Sequence, residues 1–558
     1  MDDALASGYD AREEERGDVH RAFWADAVAD EVEARDPEEP VVVKGGVSPS
    51  GVPHIGHLNE VMRGYFVAEA LRDRGYEVRQ VFTADDRDPL RAVPRTLATL
   101  DWEVVSLGDT ENPGALGRNL GKPLTAISDP FGCCDSFGAH QTRLLERMAE
   151  AMGVPIDVVS NTAYYEAGEF EAVTREVLSK RERAREVLAD YQDKVDETYV
   201  PFNPVCEDCG KLTETVTAVD LDAGTVDYVC TDMEAGGRTI EGCGHEGTAT
   251  FREGKLPWRF EWPAQWKVLG VDFEPFGKDH AEGSWPSGER IAREVFDVEP
   301  PVPMVYEWFT YNGDALSSSK GNVITVDEVL SMLEVEVFRY FFTKPPKRAR
   351  DFDVRTLDQL VDEFDRFEAA YYGEVEDAER TRAVAERAYP MVVDEAVDGE
   401  AGTARVRLPY TFAAVLGMTD DVDLREAMAR RAGHVPDGTP GWAVETALAR
   451  VECARTWAER TDNEYNYRLA EDLPDVEVSE AEAAALRRLA DDIEAGATDD
   501  EAVQSAIYEA ARENDVPVGE FFSLGYRLFL DEEQGPRLGP FLAALEREFV
   551  LRRLRREA

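Results

Sequence analysis

Two histidines, His54 and His57, stand close together in the segment PHIGH, directly after a loop that reads VSPSG. Imidazole nitrogens can donate hydrogen bonds to phosphate oxygens, and the backbone N–H groups at the start of a helix attract the same anion. Gly56, between the histidines, lets a flat ring lie against the backbone. These residue types predict a site for a nucleoside triphosphate. The alternative is a pair of histidines that only caps and packs a turn.

The segments around PHIGH predict how it is positioned. Residues 41–43 form a short apolar strand, apolar residues recur at helical spacing from Leu58 to Leu71, and residues 77–86 supply a second strand. Such a β-α-β unit implies a parallel sheet that binds ligands at the carboxyl ends of its strands. PHIGH therefore lies at a strand-to-helix turn. Before it, residues 21–32 have the apolar spacing of an amphipathic helix.

Four cysteines mark a candidate zinc site in a segment that is rich in turns. Cys-x-x-Cys with two further cysteines nearby is a strong metal signal where disulfides are not expected. His245 could replace the last cysteine as the fourth ligand. The set is Cys206, Cys209, Cys230 and Cys243.

Motifs along most of the chain resemble one family. PHIGH resembles the HIGH signature of class I aminoacyl-tRNA synthetases, and a broader resemblance to the class I lysyl-tRNA synthetases, found mostly in archaea, runs from about Trp24 to the C-terminus. The segments that carry it are VSPSGVPHIGHL, TADDRDPLRAVP, GKPLTAISDPFGCCDSFGAH, PWRFEWPAQWKVLGVDFEPFGKDH, LSSSKGN and GPRLGPFLAALEREFVLRRL.

The resemblance implies an α/β fold with a Rossmann-like parallel sheet and a zinc-binding insertion, followed by an all-α C-terminal helical bundle. The implied parts are an N-terminal amphipathic helix at 1–40, a catalytic domain at 41–340 that is interrupted by the zinc-binding insertion at 195–255, and a helical anticodon-binding domain at 341–558. The implied reaction is ATP-dependent activation of lysine to lysyl-adenylate, with Mg²⁺, and transfer to the 3′-terminal adenosine of tRNA(Lys).

The second class I signature, KMSKS, has an unusual counterpart here in GDALSSSKGN. Ala315 and Ser318 stand where the signature has its two lysines. Ser317, Ser319 and Lys320 still offer hydroxyls and one cation to the ATP phosphates, and we expect Lys320 to act in catalysis with the histidines of PHIGH. The alternative is a serine-rich turn before a helix.

Other residues are assigned to the two small substrates. By resemblance, Gly277 and Asp279 hold the ATP ribose. The lysine ammonium needs a carboxylate, because an unpaired buried charge is costly. Glu60 is the first choice, one helical turn past the histidines, and Asp85 follows the second strand. The remaining residues expected around lysine are Gly46, Ser48, Trp258, His280 and Tyr306.

A second metal site is implied by the resemblance in the segment SDPFGCCDSFGAH. Its set is Asp129, Cys133, Cys134 and His140, with Cys134 where the family more usually has histidine. The alternative is a pair of buried thiols beside a helix.

Two other functions stay open on the sequence. One is a class I synthetase for another amino acid, of which glutamate is the nearest in architecture. Glutamate would need a cation facing its side chain, whereas the TADDRD loop offers aspartates. The other is a non-catalytic RNA-binding protein that keeps the fold without the lysines of the mobile loop.

Chain length and net charge limit the number of domains and indicate the conditions in which the protein works. A chain of 558 residues predicts two to four domains. The formal net charge of -53 is spread along the chain and predicts adaptation to molar salt, where the Debye length falls to about 3 Å. With no long apolar run and no signal peptide, we expect a cytoplasmic monomer that binds no membrane.

Overall fold

The computed structural model describes residues 22–192, 195–235, 237–316, 322–375, 379–393, 405–470 and 472–557. It divides into two compact units. The first comprises Met1–Glu328 and Arg339–Asp353, and the second comprises Val329–Phe338 and Val354–Ala558. The chain therefore enters the second unit briefly, returns to the first, and then completes the second.

The described residues form helices and strands with the following bounds. The strands are β1 Val41–Val47, β2 Val78–Ala84, β3 Thr96–Ala98, β4 Val104–Ser106, β5 Asp157–Ser160, β6 Asn203–Pro204, β7 Val216–Asp220, β8 Thr225–Val229, β9 Met233–Ala235, β10 Arg238–Ile240, β11 Glu246–Thr250, β12 Gly254–Lys255, β13 Val271–Gly277, β14 Val302–Tyr306, β15 Phe309–Tyr311, β16 Asp314–Ala315 and β17 Arg350–Phe352. The helices are α1 Trp24–Glu33, α2 Ile55–Arg72, α3 Gly114–Gly117, α4 Phe137–Ala151, α5 Asn161–Ala167, α6 Glu171–Ser179, α7 Arg181–Ala189, α8 Trp258–Leu269, α9 Lys278–Glu282, α10 Trp285–Glu294, α11 Val326–Leu330, α12 Val335–Thr343, α13 Leu357–Tyr371, α14 Glu379–Val392, α15 Tyr410–Leu416, α16 Val422–Arg431, α17 Gly441–Thr461, α18 Glu480–Ala495, α19 Asp500–Glu513, α20 Val518–Leu530, α21 Leu538–Ala544 and α22 Arg547–Arg555.

A five-stranded sheet organises the first unit, and its strand order is β14-β13-β1-β2-β5. All four strand pairs are parallel. The chain runs outward from β1 through β2 to β5 on one side and from β13 to β14 on the other. The order therefore reverses between β1 and β13, and in such sheets ligands bind outside the carboxyl ends of the strands at the reversal. The predicted parallel α/β sheet is confirmed.

The helices that flank β1 form because their apolar residues can be buried. In α1 the buried side chains include Trp24 and Val28, and the Trp24 Nε1–H donates to the carbonyl of Thr343 over 2.9 Å. Helix α2 buries apolar residues on most of its surface, including Leu58 and Phe66, as a helix does when it lies between a sheet and other helices. Both predicted helices are confirmed.

The segment between α7 and α8 is an insertion built of short strands. It contains a three-stranded antiparallel sheet of order β11-β8-β7, the hairpin β9-β10 and the pair β12-β6. Buried Phe202, Tyr228 and Phe251 supply part of its core. The four cysteines predicted to bind zinc all lie within this insertion.

The second unit is helical from α13 onward, as expected for the C-terminal part. Buried arginines tie its helices together: Arg450 contacts Asp365 at 2.7 Å and Glu334 at 2.5 Å, and Arg405 contacts Glu368 at 2.7 Å. Each of these two arginines thus has a carboxylate partner, which a buried charge requires. Within the described part of the chain, no helix is both long enough and apolar enough to cross a bilayer.

Candidate active site at the carboxyl edge of the sheet

The PHIGH histidines lie at the start of α2, and each one caps it. His54 is the N-cap residue, and its Nδ1 accepts a hydrogen bond from the N–H of Gly56 over 3.0 Å. The N–H of His54 in turn donates to Nδ1 of His57 over 3.2 Å. The two rings lie 4.1 Å apart between centroids, at an angle of 33°. This reciprocal arrangement is a capping box built from imidazoles.

The caps also decide which ring nitrogens face the site. Burial lowers the pKa of His57 to about 4, and burial together with His57 lowers the pKa of His54 well below its usual value. Both rings are therefore neutral at pH 7. Because each Nδ1 accepts from a backbone N–H, the single ring hydrogen is on Nε2. Each histidine thus keeps one Nε2–H that the helix cap does not use.

Gly56 is needed for this geometry. A Cβ at Gly56 would lie 2.7 Å from Cε1 and 2.8 Å from Nδ1 of His54. The flat ring that lies against Gly56 is therefore the imidazole of His54 itself. The same position approaches Leu316 Cδ1 at 3.4 Å, and the carbonyl of Ile324 accepts from the N–H of Ile55 over 3.2 Å. Both flanks of the serine-rich loop thus reach the start of α2.

That loop contributes three predicted ATP-binding residues, Ser317, Ser319 and Lys320, and they lie outside the described residues. Its described end is tied back by Asn322, whose Nδ2 donates to the carbonyl of Ala315 over 2.9 Å.

A buried ion pair lies beneath the strand reversal. Lys44 on β1 contacts Glu274 on β13 at 2.6 Å, and both side chains are almost inaccessible to solvent. The indole N–H groups of Trp262 and Trp266 also donate to Glu274, over 2.9 and 2.5 Å. Neither Lys44 nor Glu274 is among the residues predicted from the sequence. A lysine inside the apolar strand VVVKGG was the available signal.

Glu60 lies near the Lys44–Glu274 ion pair. Its Oε1 accepts from the N–H of Gly46 over 2.7 Å, and its Oε2 accepts from the hydroxyl of Tyr306 over 2.8 Å. Three residues predicted for lysine are thus brought together. Burial raises the pKa of Glu60 to about 7, although the bonds from Gly46 and Tyr306 lower it. Among the described residues, no cation forms an ion pair with Glu60.

Aromatic rings form one wall beside these residues. Trp258 stacks on Trp262 with centroids 5.3 Å apart at 15°, and His280 lies 5.8 Å from Trp258 and 5.4 Å from Trp262. The indole N–H of Trp258 donates to Ser284 over 3.2 Å. Trp258 and His280, both predicted for lysine, thus form a contiguous surface.

The aspartates of the TADDRD loop have other partners. Asp85 is buried, and its Oδ1 accepts from the amides of Asn161 over 2.7 Å and Gln265 over 2.9 Å. Burial, and then the nearby Glu261 carboxylate, raises the pKa of Asp85 well above its usual value. Asp88 contacts Lys255 at 2.5 Å, and the same ammonium contacts Glu261 at 2.5 Å. The Lys255 ammonium therefore balances negative charge in the group of carboxylates that Asp85, Asp88 and Glu261 form.

The residues predicted for the ATP ribose lie at the end of β13, on the other side of the reversal from β2. A Cβ on Gly277 would lie 2.6 Å from Oδ1 of Asp279 and 3.2 Å from Nε1 of Trp308. A side chain at position 277 would therefore displace the Asp279 carboxylate where the strand meets α9. Trp308 is half exposed, and the Lys278 ammonium lies 5.2 Å from its ring centroid.

The four cysteines of the insertion form a compact donor set. Their sulfur atoms all lie within 4.8 Å of one another. Cys206 Sγ is 3.6 Å from Cys243 Sγ, and Cys209 Sγ is 3.6 Å from Cys230 Sγ. A tetrahedral zinc ion with Zn–S bonds of about 2.3 Å separates its sulfurs by about 3.8 Å, so the set fits zinc. His245, the alternative ligand, instead contacts Glu207 at 2.8 Å.

The second set is also compact. The ligand atoms of Asp129, Cys133, Cys134 and His140 lie within 4.8 Å of one another. His140 Nε2–H donates to the carbonyl of Ala98 over 2.9 Å, and its Nδ1 lies 3.3 Å from Cys133 Sγ and 3.4 Å from Asp129 Oδ1. A carbonyl behind a ligating histidine is the usual support of a metal site. Cys133 is exposed and Cys134 is half-buried, so the alternative of two buried thiols is wrong.

Comparison with known proteins agrees with the fold and the PHIGH geometry, which together define a class I aminoacyl-tRNA synthetase. The family described as tRNA synthetases class I (K) matches residues 22–392. A lysine–tRNA ligase from Natronomonas pharaonis is 69% identical over 96% of this chain and 98% of its own length. One from Haloarcula marismortui is 67% identical over 96% and 98%, and one from Pyrococcus horikoshii is 33% identical over 96% and 99%. The chain belongs to this family of class I lysine–tRNA ligases, in its haloarchaeal branch.

Proposed function

We propose that this site activates lysine with ATP and then esterifies tRNA(Lys). The observation that carries the proposal is the start of α2, where two neutral histidines each keep an Nε2–H beside the strand reversal. Donors that are fixed by a helix cap need no rearrangement as charge develops on a phosphate.

In the first step, a lysine carboxylate oxygen forms a bond to the α-phosphorus of ATP. The bond from that phosphorus to the bridging oxygen breaks, and pyrophosphate leaves with the electron pair. His54 and His57 donate to the phosphate oxygens, and Lys320, Ser317 and Ser319 hold the departing end. Gly277 and Asp279 hold the ribose. Bound Mg²⁺ would neutralise phosphate charge.

In the second step, a hydroxyl of the terminal ribose of tRNA attacks the lysyl carbonyl carbon. The ester bond forms, the bond from that carbon to the phosphate oxygen breaks, and AMP leaves with the electron pair. The hydroxyl proton passes to the departing phosphate oxygen.

Selection of lysine rests on Glu60. Glu60 lies at the reversal and accepts from two neutral donors, Gly46 and Tyr306. Asp88 already has Lys255, and the Oδ1 of Asp85 is occupied by the amides of Asn161 and Gln265. A lysine ammonium would be the missing counter-charge of Glu60. Ser48, Trp258 and His280 line the space around the rest of the amino acid. Glutamate would meet another carboxylate, which disfavours that alternative.

We further propose that zinc binds the four cysteines and the second set, where it would hold the insertion and the start of α4 in shape. In neither place would it take part in the transfer. The chain acts as a monomer in the cytoplasm, where ATP and tRNA are available.

The test is aminoacylation of tRNA(Lys) in about 3 M KCl, where screening is nearly complete, with labelled lysine and with glutamate as the control. We expect charging with lysine alone. In the variant His57→Asn the amide can still accept from the His54 N–H but lacks the Nε2–H, and we expect its rate to fall roughly a hundredfold. Charging with glutamate would refute lysine specificity, and binding of tRNA without charging would favour the RNA-binding alternative.

A further inference from the structure

A cavity adjoins the PHIGH histidines on the β2 side of the sheet. It encloses about 320 Å³, within the range of small-ligand sites. Three segments line it: the loop after β1 with Ser48 and Ser50, the loop after β2 with Arg91, and helix α4 with Gln141. His57 also lines it, so the cavity is continuous with the reaction centre.

Gln141 is the unusual residue of this cavity. Its side chain is 1% exposed, yet neither its Nε2 nor its Oε1 has a hydrogen-bond partner among the described residues. A buried amide without partners costs free energy, so such a group in a cavity wall points to a ligand that satisfies it. A carboxamide offers one planar donor and one acceptor side by side, which matches the edge of an adenine base.

Arg91 supplies a positive charge to the cavity. It is exposed on the loop after β2, and no carboxylate of the described chain forms an ion pair with it. The one acidic residue in the lining, Asp88, is already paired with Lys255. The cavity therefore presents a cation and a base-reading amide without an available carboxylate. This suits a nucleotide and disfavours lysine.

We propose that this cavity holds the terminal nucleotide of tRNA, with Gln141 on the edge of the adenine and Arg91 on the phosphate. The inference rests on the proposed function, because the attacking hydroxyl must reach the lysyl carbonyl beside Ser48 and His57. The residues proposed for ATP ribose lie at β13, on the opposite side of β1. The cavity on the β2 side is thus available to the 3′ end of the tRNA acceptor stem.

The test compares two tRNA(Lys) transcripts, one ending in CCA and one ending in CC with a 3′-phosphate, which keeps the terminal phosphate but lacks the adenosine. Equilibrium binding is measured in 3 M KCl for the wild-type chain and for Gln141→Leu, which has a similar volume and removes the unpaired amide. We expect removal of the adenosine to weaken wild-type binding roughly tenfold, the size of a base-edge contact, and to have no effect on Gln141→Leu. Thermal unfolding of the variant checks that it folds.

Arg91→Ala provides a second measurement at an exposed position. We expect it to weaken binding of both transcripts and to reduce the salt dependence of binding by about one phosphate contact. Arg95→Ala is its matched control, since Arg95 is exposed on the same segment but does not line the cavity.

The outcomes separate the two proposals. If the wild-type chain charges tRNA with lysine but Gln141→Leu keeps the tenfold preference for the terminal adenosine, the cavity assignment is wrong and the function stands. A higher KM for ATP of Gln141→Leu in lysine-dependent ATP–pyrophosphate exchange would place ATP in the cavity and overturn the assignment. If the wild-type chain charges no tRNA, both proposals fail.

Discussion

At the scale of single residues, the site depends on which polar groups are already satisfied. His54 and His57 use their Nδ1 atoms to cap α2, so the proton on each ring is fixed at Nε2. Glu60, by contrast, accepts two neutral hydrogen bonds and forms no ion pair with a cation of the described residues. A carboxyl in that situation holds its proton until a positive ligand arrives.

Glu60 therefore predicts pH-dependent lysine binding. Because burial raises its pKa to about 7, the carboxyl is largely protonated below that pH and cannot pair with an ammonium. We expect the Kd for lysine, measured by calorimetry, to rise by about tenfold in total as the pH falls from 8 to 6. ATP binding should not follow this trend. The same Kd at both pH values would remove Glu60 from the lysine site.

The matched variant Glu60→Gln tests the cause through stability. A carboxyl whose pKa is raised on folding destabilises the folded chain as the pH rises from about 4.5 through about 7. At pH 8 the ligand-free variant should therefore be more stable than the wild type, by on the order of 2 kcal/mol. Its melting temperature should no longer increase when lysine is added.

The sequence pointed to the PHIGH histidines, but it ranked Glu60 ahead of the aspartates only by its place one helical turn further on. PHIGH is local, because the cap, the glycine and both rings lie within four residues. The Asp85 carboxylate is occupied by hydrogen bonds from Asn161 and Gln265, and the Asp88 carboxylate is paired with Lys255. Such long-range partners carry no periodic signal, and neither does an unpaired amide such as Gln141.

At the scale of elements, regular spacing made the long helices and the β-α-β unit predictable. Helices α1 and α2 largely coincide with the segments 21–32 and 58–71, whose apolar spacing predicted them. The insertion was foreseen only through its cysteines, because its strands are two to five residues long and too short to show alternation. A metal that crosslinks such strands can replace part of a hydrophobic core.

Zinc content tests this role of the insertion. We expect Cys209→Ser to lose one zinc per chain by elemental analysis and to become sensitive to protease between residues 203 and 255. His245→Ala is the control and should keep its zinc, since His245 contacts Glu207 rather than the cysteine set. Loss of zinc in His245→Ala with retention in Cys243→Ser would reverse the ligand assignment.

At the scale of the whole molecule, charge determines the conditions under which the fold is stable. A net charge of -53 on 558 residues makes the compact chain repel itself unless salt screens it. The haloarchaeal relatives, from Natronomonas pharaonis and Haloarcula marismortui, agree with a protein that is adapted to high salt.

Salt should therefore stabilise the chain strongly. We expect the melting temperature to be higher in 3 M than in 0.1 M KCl, by roughly 10 °C or more, with molar sucrose as the control. Sucrose is excluded from protein surfaces but does not screen charge, so it should recover only part of the gain. Equal melting temperatures in both salt concentrations would contradict adaptation to salt.

The central position of β1 also has a consequence for synthesis on the ribosome. Its partner β2 is complete at Ala84, but its other partner, β13, begins only at Val271. At about 5 to 20 residues per second, roughly 10 to 40 s pass while one apolar edge of β1 stays unpaired. In molar salt the repulsion between nascent chains is screened, so charge cannot guard that edge. Until β13 emerges, that edge is therefore open to pairing with the exposed strand of another nascent chain.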